Sequence, residues 1–212
     1  MILGFAGPSG VGKTYLRRSI THFLSDQGIS YRIPRVVTTR PRRRDDGDDR
    51  ENVPISVFVD LYARGEIFAV HQPFGPQGHW YGFRLQDFSE NEVVVTEIHV
   101  DNIARFMEIF PQSLYLIGLS ASIAYIKHNL LVRHGTIDAE IKRRLQYTFY
   151  ERKKLLTFFV QRRIYSLVWL TNALKLRQPI KLGRLWLATK QTVVDSGISI
   201  TLKALREAGI DL

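Results

Sequence analysis

Residues 7–14 have the sequence Gly-Pro-Ser-Gly-Val-Gly-Lys-Thr, in which two glycines five positions apart are followed by a lysine and a threonine. Glycines at this spacing let a loop curl so that its backbone N–H groups point at a phosphate. Lys13 would neutralise the β- and γ-phosphates of a nucleotide, and the Thr14 hydroxyl would bind Mg²⁺. This stretch, the phosphate loop, therefore predicts a triphosphate site made of Gly7, Pro8, Ser9, Gly10, Val11, Gly12, Lys13 and Thr14.

Three further segments carry side chains suited to phosphate chemistry. Arg40 and Arg43 follow the apolar stretch VVTT, and the fork of a guanidinium matches the oxygens of an acceptor phosphate. Glu97 ends the apolar stretch VVVTE, where a carboxylate can orient Mg²⁺ or the acceptor. The arginines of RHGTIDAEIKRRL (residues 133–145) could fold over the triphosphate as a lid. The order of these segments carries more information than any one of them.

The elements that must position these residues follow from the hydrophobic pattern. Residues 1–6 form a short apolar run without alternation, which is typical of a central parallel strand buried on both faces. A helix is predicted directly after the loop, because one of its faces is apolar and consists of Leu16, Ile20, Phe23 and Leu24. The phosphate loop thus stands between a strand and a helix, as its mechanism requires.

The rest of the chain continues this alternation. Strands rich in β-branched residues are predicted in 31–39, 91–100 and 114–122, and a long helix in 136–159. A last short strand is expected at residues 192–199, followed by a closing helix. Strands that alternate with helices predict an α/β fold with a parallel sheet.

The composition narrows the function classes. The 212 residues include no cysteine, which excludes disulfides and thiolate metal sites. No apolar run approaches the ~18–20 residues of a membrane span, and no signal-peptide pattern precedes the loop, so we expect a soluble cytoplasmic protein. A net charge of +10 favours polyanionic partners, either nucleic acid or small phosphorylated substrates.

In their order along the chain, these segments resemble the guanylate kinases. That family has a GPSG-x-GK-[ST] loop, a TTR-x-x-R segment, a G-x-x-Y-G turn, an apolar strand ending in an acid, and a lid of the form RGT followed by an I-x-x-RL helix. The corresponding segments here are GPSGVGKT, TTRPRR, GHWYG (residues 78–82), VVVTE, and RHGT with IKRRL. The resemblance covers about residues 1–150.

The resemblance implies the P-loop NTPase fold in a single domain over residues 1–212, with a parallel sheet flanked by helices. It divides the domain into a core (1–34 and 91–212), an acceptor-binding lobe of about residues 35–90 and a lid of about residues 127–144. It also implies an enzyme, a phosphotransferase that uses ATP and Mg²⁺ and moves the γ-phosphate to a nucleoside monophosphate.

On the donor side the resemblance assigns the triphosphate and Mg²⁺ to Lys13 and Thr14, and the lid to Arg144. Either Arg133 or His134 supplies the second lid contact with ATP, and the shorter spacing here leaves both open. The catalytic charges implied are those of Lys13, Arg144 and two arginines on the acceptor side.

On the acceptor side these two arginines are Arg40 and Arg43, which hold the acceptor phosphate together with Tyr81. Arg50 stands where the family has a second tyrosine on that phosphate, and Glu97 stands where it has an aspartate. The resemblance thus implies that most of the residues that hold the acceptor phosphate are retained.

The departures concern the acceptor base. Val36, Ala69 and Phe83 stand where the family has a serine, a guanine-reading glutamate and a serine or threonine. An alignment shifted by two or three positions would make Glu66 the base-reading residue instead. A site without such polar groups does not enforce guanine, so the family substrates GMP and dGMP compete with a modified nucleotide, a sugar phosphate or a nucleotide within DNA. A non-catalytic interaction module is disfavoured because Lys13 is present.

Residues 155–190 are longer, more aromatic and more basic than the family pattern. We predict an extra helical pair that packs on the core in this segment. The alternative is a nucleic acid surface on which Trp169 and Trp186 stack with bases and lysines neutralise phosphates. The sequence indicates no oligomeric state.

Overall fold

The computed structural model describes residues 1–42, 47–73, 78–88, 92–135, 139–161, 164–170, 178–189 and 192–210. The described α-helices and β-strands are, in chain order, β1 (Ile2–Ala6), α1 (Lys13–Asp26), β2 (Tyr31–Arg32), β3 (Val36–Thr38), β4 (Arg50–Asn52), α2 (Ile55–Ala63), β5 (Ile67–His71), β6 (Tyr81–Arg84), β7 (Val93–Ile98), α3 (Ile103–Ile109), β8 (Leu114–Ala121), α4 (Ile123–His134), α5 (Ala139–Val160), β9 (Ser166–Leu170), β10 (Ile180–Leu182), β11 (Leu185–Ala188) and α6 (Val193–Glu207).

The main sheet has seven strands in the order β10-β11-β9-β8-β1-β7-β2, and all neighbouring pairs except β10 with β11 are parallel. All five residues of β1 are buried, because helices cover both faces of the sheet. Leu3 and Phe5 pack towards α1, α4 and α6, whereas Ile2 and Ala6 pack towards α3 and α5. The α/β fold with a parallel sheet flanked by helices is confirmed.

A second sheet, in the order β4-β3-β6-β5, lies together with α2 within residues 36–84, which we call the small lobe. It packs on the core through a cluster of aromatic rings whose neighbouring centroids are 5.1–6.1 Å apart. The cluster consists of Phe68, Phe83, Phe88, Phe106 and Phe110. The small lobe falls inside residues 35–90, where an acceptor-binding lobe was predicted, and its role in binding stays a prediction.

Residues 31–39 differ from their prediction as one strand. They form β2 in the main sheet and β3 in the small lobe, and Pro34 lies between them. Proline has no N–H to donate to a sheet ladder, so the chain leaves one sheet before it enters the other.

Two predictions for the C-terminal third are wrong. The extra helical pair in residues 155–190 is absent from the described part of that segment, where α5 ends at Val160 and β9, β10 and β11 extend the main sheet beside β8. The last strand expected at residues 192–199 is instead the beginning of α6. Gly197 of α6 packs so closely on α1 that an added Cβ would lie 2.5 Å from the Leu16 side chain. Packing against α1 therefore overrides the β-propensity of the local sequence.

Candidate active site

The phosphate loop begins at the carboxyl edge of the main sheet. Ala6, the last residue of β1, pairs with Ile98 at the end of β7 and with Gly118 of β8. Ligands of parallel α/β sheets bind outside the carboxyl ends of the strands. The loop and the residues that follow β7 therefore share the edge where a ligand is expected.

Glycine is required at several loop positions. A Cβ on Gly7 would lie 2.2 Å from the backbone oxygen of Leu119, and one on Gly10 would lie 2.8 Å from the side chain of Leu130. Gly12 precedes the first residue of α1 and has a φ of 108°, which side-chain-bearing residues rarely adopt. These constraints aim the N-terminus of α1 at the loop, and a helix N-terminus attracts anions.

Two basic side chains donate hydrogen bonds to atoms of the phosphate loop. The Lys13 ammonium donates hydrogen bonds to the backbone oxygens of Gly7 (2.8 Å) and Pro8 (3.0 Å). Arg144 of α5 donates from Nη1 to Ser9 Oγ at 2.9 Å. Thr14 stands exposed in the first turn of α1. The structure thus brings together the predicted donor-side residues Lys13, Thr14 and Arg144.

Two further contacts of the phosphate loop were not predicted from the sequence. Asn129 of α4 donates to the backbone oxygen of Gly10 at 3.0 Å, and Oε2 of Glu151 accepts from the backbone N–H of Ser9 at 3.4 Å. Glu151 is buried, with 3% of its surface exposed. It lies seven residues after Arg144 on α5, so both project from the same helix face, and this spacing was an available signal.

A half-buried histidine neighbours this carboxylate. His99 directly follows β7, and its Nε2 lies 3.3 Å from Oε1 of Glu151 while its Nδ1 lies 3.4 Å from Asp101. Burial opposes the charged imidazole, but the hydrogen bonds to Asp101 and Glu151 outweigh burial and raise the pKa of His99. The His99 imidazole faces the buried carboxylate of Glu151 behind the loop.

A second histidine joins the small lobe to this region. His71 ends β5 and stacks on His99 with ring centroids 4.7 Å apart, and on Tyr81 at 5.6 Å. Asn102 donates to the backbone oxygen of Ala69 at 2.6 Å, and its Nδ2 lies 2.8 Å from Nδ1 of His71. Burial, followed by the charge of His99, lowers the pKa of His71 to about 3, so this imidazole is neutral.

The predicted acceptor residues are only partly gathered. Arg40 follows β3 and is buried, with Nη1 donating to the Pro41 oxygen at 3.2 Å. Tyr81 begins β6 opposite Thr38 of β3, at the same end of the small sheet as Arg40. Arg50 pairs with Val36 at the other end. Arg43 lies outside the described residues, as does the side chain of Arg133.

Comparison with the sequences of known proteins identifies the family of this chain. A guanylate kinase from a Nostoc species is 31% identical over 146 residues, which cover 66% of this chain and 70% of that protein. The chain belongs to the guanylate kinase family. The guanylate kinase of Bacillus subtilis is 24% identical over 152 residues, 69% of this chain and 72% of its own. A scan against models of protein families finds no match.

The fold of the guanylate kinase family extends over nearly the whole chain. The crystal structure of a guanylate kinase from Anaplasma phagocytophilum superposes with a TM-score of 0.60 at 16% identity, covering 98% of this chain and 85% of that one. This similarity supports the P-loop NTPase fold. Among the described residues, no helix is both long and apolar enough to cross a membrane.

At the positions aligned with the base-reading residues of the guanylate kinase family, this chain presents little open surface. Ala69 is 5% exposed and has a φ of 50°, and Phe83 is 3% exposed within the aromatic cluster. Glu66, the alternative base reader, lies 2.7 Å from Arg64 and 3.2 Å from Arg84. Its carboxylate is therefore already shared between two guanidinium groups.

Proposed function

We propose that this protein is an ATP-dependent nucleoside monophosphate kinase that moves the γ-phosphoryl group of ATP to the phosphate of an acceptor nucleotide. The observation that carries the proposal is the phosphate loop, whose lysine is intact and whose Ser9 hydroxyl accepts a hydrogen bond from Arg144. Membership of the guanylate kinase family supports the same activity.

On the donor side, Lys13 would neutralise the β- and γ-phosphates, and Arg144 would stabilise charge on the transferring group. Mg²⁺ usually binds one or two protein oxygens together with substrate phosphates. The residues fit this ion, because Thr14 is exposed in the first turn of α1, next to the phosphate loop. When bound, Mg²⁺ supplies charge neutralisation and orients the phosphates.

On the acceptor side, we propose that Tyr81, Arg40 and Arg43 hold the acceptor phosphate and that Arg50 and Glu97 also contact the acceptor. Tyr81 and the loop that carries Arg40 share one end of the small sheet, which supports a joint contact. The guanidinium groups and the Tyr81 hydroxyl match phosphate oxygens. Catalysis would then consist mainly of positioning and electrostatic stabilisation.

A second candidate keeps the phosphoryl transfer and changes the acceptor to a modified nucleotide, a sugar phosphate or a nucleotide within DNA. Its support is the burial of Ala69 and Phe83, which leaves no polar group at those positions to select guanine. The positive net charge of the chain favours such phosphorylated substrates equally well.

The test is ATP consumption with a panel of acceptors, namely GMP, dGMP, the other nucleoside monophosphates, sugar phosphates and single-stranded DNA. We expect turnover with at least one nucleoside monophosphate and its loss in Lys13→Met, while Lys153→Met, at an exposed lysine of α5, retains it. Turnover only with sugar phosphate or DNA would select the second candidate. Absence of ATP binding in calorimetry would contradict both and indicate an interaction module.

A further inference from the structure

Arg17, on the helix that follows the phosphate loop, contacts both the small lobe and the core. It lies on α1, four residues after Lys13, and only 8% of its surface is exposed. Its Nη2 donates a hydrogen bond to Oδ2 of Asp49 at 2.8 Å, and its Nε lies 3.3 Å from Oε1 of Glu97. Asp49 belongs to the small lobe, whereas Glu97 belongs to β7 of the core.

The two contacts of Arg17 differ in kind. The contact with Asp49 is a charge-assisted hydrogen bond, which is the stronger type. The Nε of Arg17 is buried and makes no hydrogen bond within the described structure, so its contact with Glu97 is coulombic only. The Glu97 oxygens therefore keep capacity for a ligand, while the guanidinium compensates their charge.

Arg17 lies next to the groups assigned to the acceptor. Glu97 is one of them, and Asp49 directly precedes another, Arg50. Without the guanidinium, the carboxylates of Asp49 and Glu97 would lose the cation that both of them contact. Removing one partner of a buried ion pair leaves an uncompensated charge, which favours separation of the elements that carry it.

We propose that Arg17 is a positioning residue that holds the small lobe, and with it the acceptor, at a set distance from the phosphate loop. This inference rests on the proposed kinase function. Helix α1 begins at Lys13 of the loop, so Arg17 is separated from the donor-phosphate contact by about one helical turn. Phosphoryl transfer requires both substrates in a near-attack geometry, and a misplacement of about 1 Å can cost ~10²-fold in rate.

The first experiment measures the lobe position without any substrate. The chain has no cysteine, so a spin label on Asp60→Cys (α2, small lobe) and one on Ala104→Cys (α3, core) report a single distance, and both positions are exposed. We expect Arg17→Met to broaden the distance distribution. Arg18→Met is the matched control, because Arg18 is the next arginine on α1 and is exposed. Identical distributions in all three proteins would overturn the proposal.

The second experiment separates acceptor from donor effects. For Arg17→Met we expect kcat/KM for the acceptor to fall by roughly 10²-fold, while the Kd for ATP changes less than about twofold. Arg17→Lys keeps the charge and should recover part of the loss, and Arg18→Met should match the wild type. Asp49→Ala removes the same contact at a partly exposed position and covers the case in which Arg17→Met does not fold.

Two results distinguish failure of the inference from failure of the proposed function. If Arg17→Met weakens ATP binding as much as acceptor turnover, the residue supports the loop and the inference is wrong. If the wild type phosphorylates no acceptor, the proposed function fails, and the label distances still decide whether Arg17 holds the lobe.

Discussion

Acidification should destabilise the fold through His71. Burial between Tyr81 and His99 lowers the pKa of His71 to about 3, compared with the ordinary value of 6.5. Below pH 6.5 the unfolded chain binds a proton at this residue and the folded chain does not. The free energy of unfolding therefore decreases as the pH is lowered from 6.5 to about 3. Between pH 6.5 and 5 this linkage amounts to about 1.6 kcal/mol.

Among the described residues, the other groups with a shifted pKa do not mask this window. The pKa of Glu51 is lowered by its hydrogen bond to Arg84, so its contribution is lost only below its ordinary value of 4.5. The pKa of His99 is raised, so its stabilising contribution is complete below pH 6.5 and is lost only as pH rises through its folded-state pKa. The pKa of Asp101 is lowered by its hydrogen bond to His99, and its contribution is lost only below its ordinary value of 3.8. The decline between pH 6.5 and 5 therefore reports His71.

The assay is urea denaturation of the wild type and of His71→Phe at pH 6.5, 6 and 5. Phenylalanine keeps an aromatic ring in the stack and has no proton to bind, and the cost of losing the Asn102 contact is the same at every pH. We expect the wild type to lose about 1.6 kcal/mol more than the variant across this range, equivalent to about 3–6 °C in Tm for a chain of this size. If the free energies of unfolding of the wild type and the variant had the same pH slope, the lowered pKa of His71 would be refuted.

Three further changes test the loop and the core. Gly7→Ala should weaken ATP binding at least about tenfold in calorimetry, because its Cβ would lie 2.2 Å from the Leu119 oxygen and the loop must shift; unchanged affinity would contradict this geometry. Arg144→Met should lower kcat by about 10²-fold in steady-state assays through loss of transition-state charge, and an intact kcat would exclude Arg144 from catalysis. Phe106→Ala should cost about 3–5 kcal/mol in urea denaturation because this ring is fully buried in the aromatic cluster, whereas a cost below about 1 kcal/mol would disprove tight packing there.

The conformation of the phosphate loop was predictable from the sequence because its determinants are local. Gly7, Gly12, Lys13 and Thr14 lie within eight consecutive residues, and the strand and helix on either side follow from adjacent apolar patterns. Backbone conformation and close approach set the need for glycine, and both depend mainly on the nearest neighbours in the chain.

Local patterns were insufficient where neighbours in space decide the structure. Residues 166–170 form a strand because β8 offers a parallel partner, and residues 193–207 form a helix because α1 offers an apolar face. Both segments contain apolar and β-branched residues, whose strand preference depends on the surface they meet.

The contacts around the loop required the tertiary structure for the same reason. Glu151 is 142 positions from Ser9 in the chain, and Asp49 is 32 positions from Arg17. No short spacing encodes such pairs, since a buried charge is tolerated only where the fold brings it a partner. The sequence by itself thus predicted the phosphate loop and the fold class. The tertiary structure decided which charged side chains lie next to each other, because burial and distance set the strength of such ion pairs.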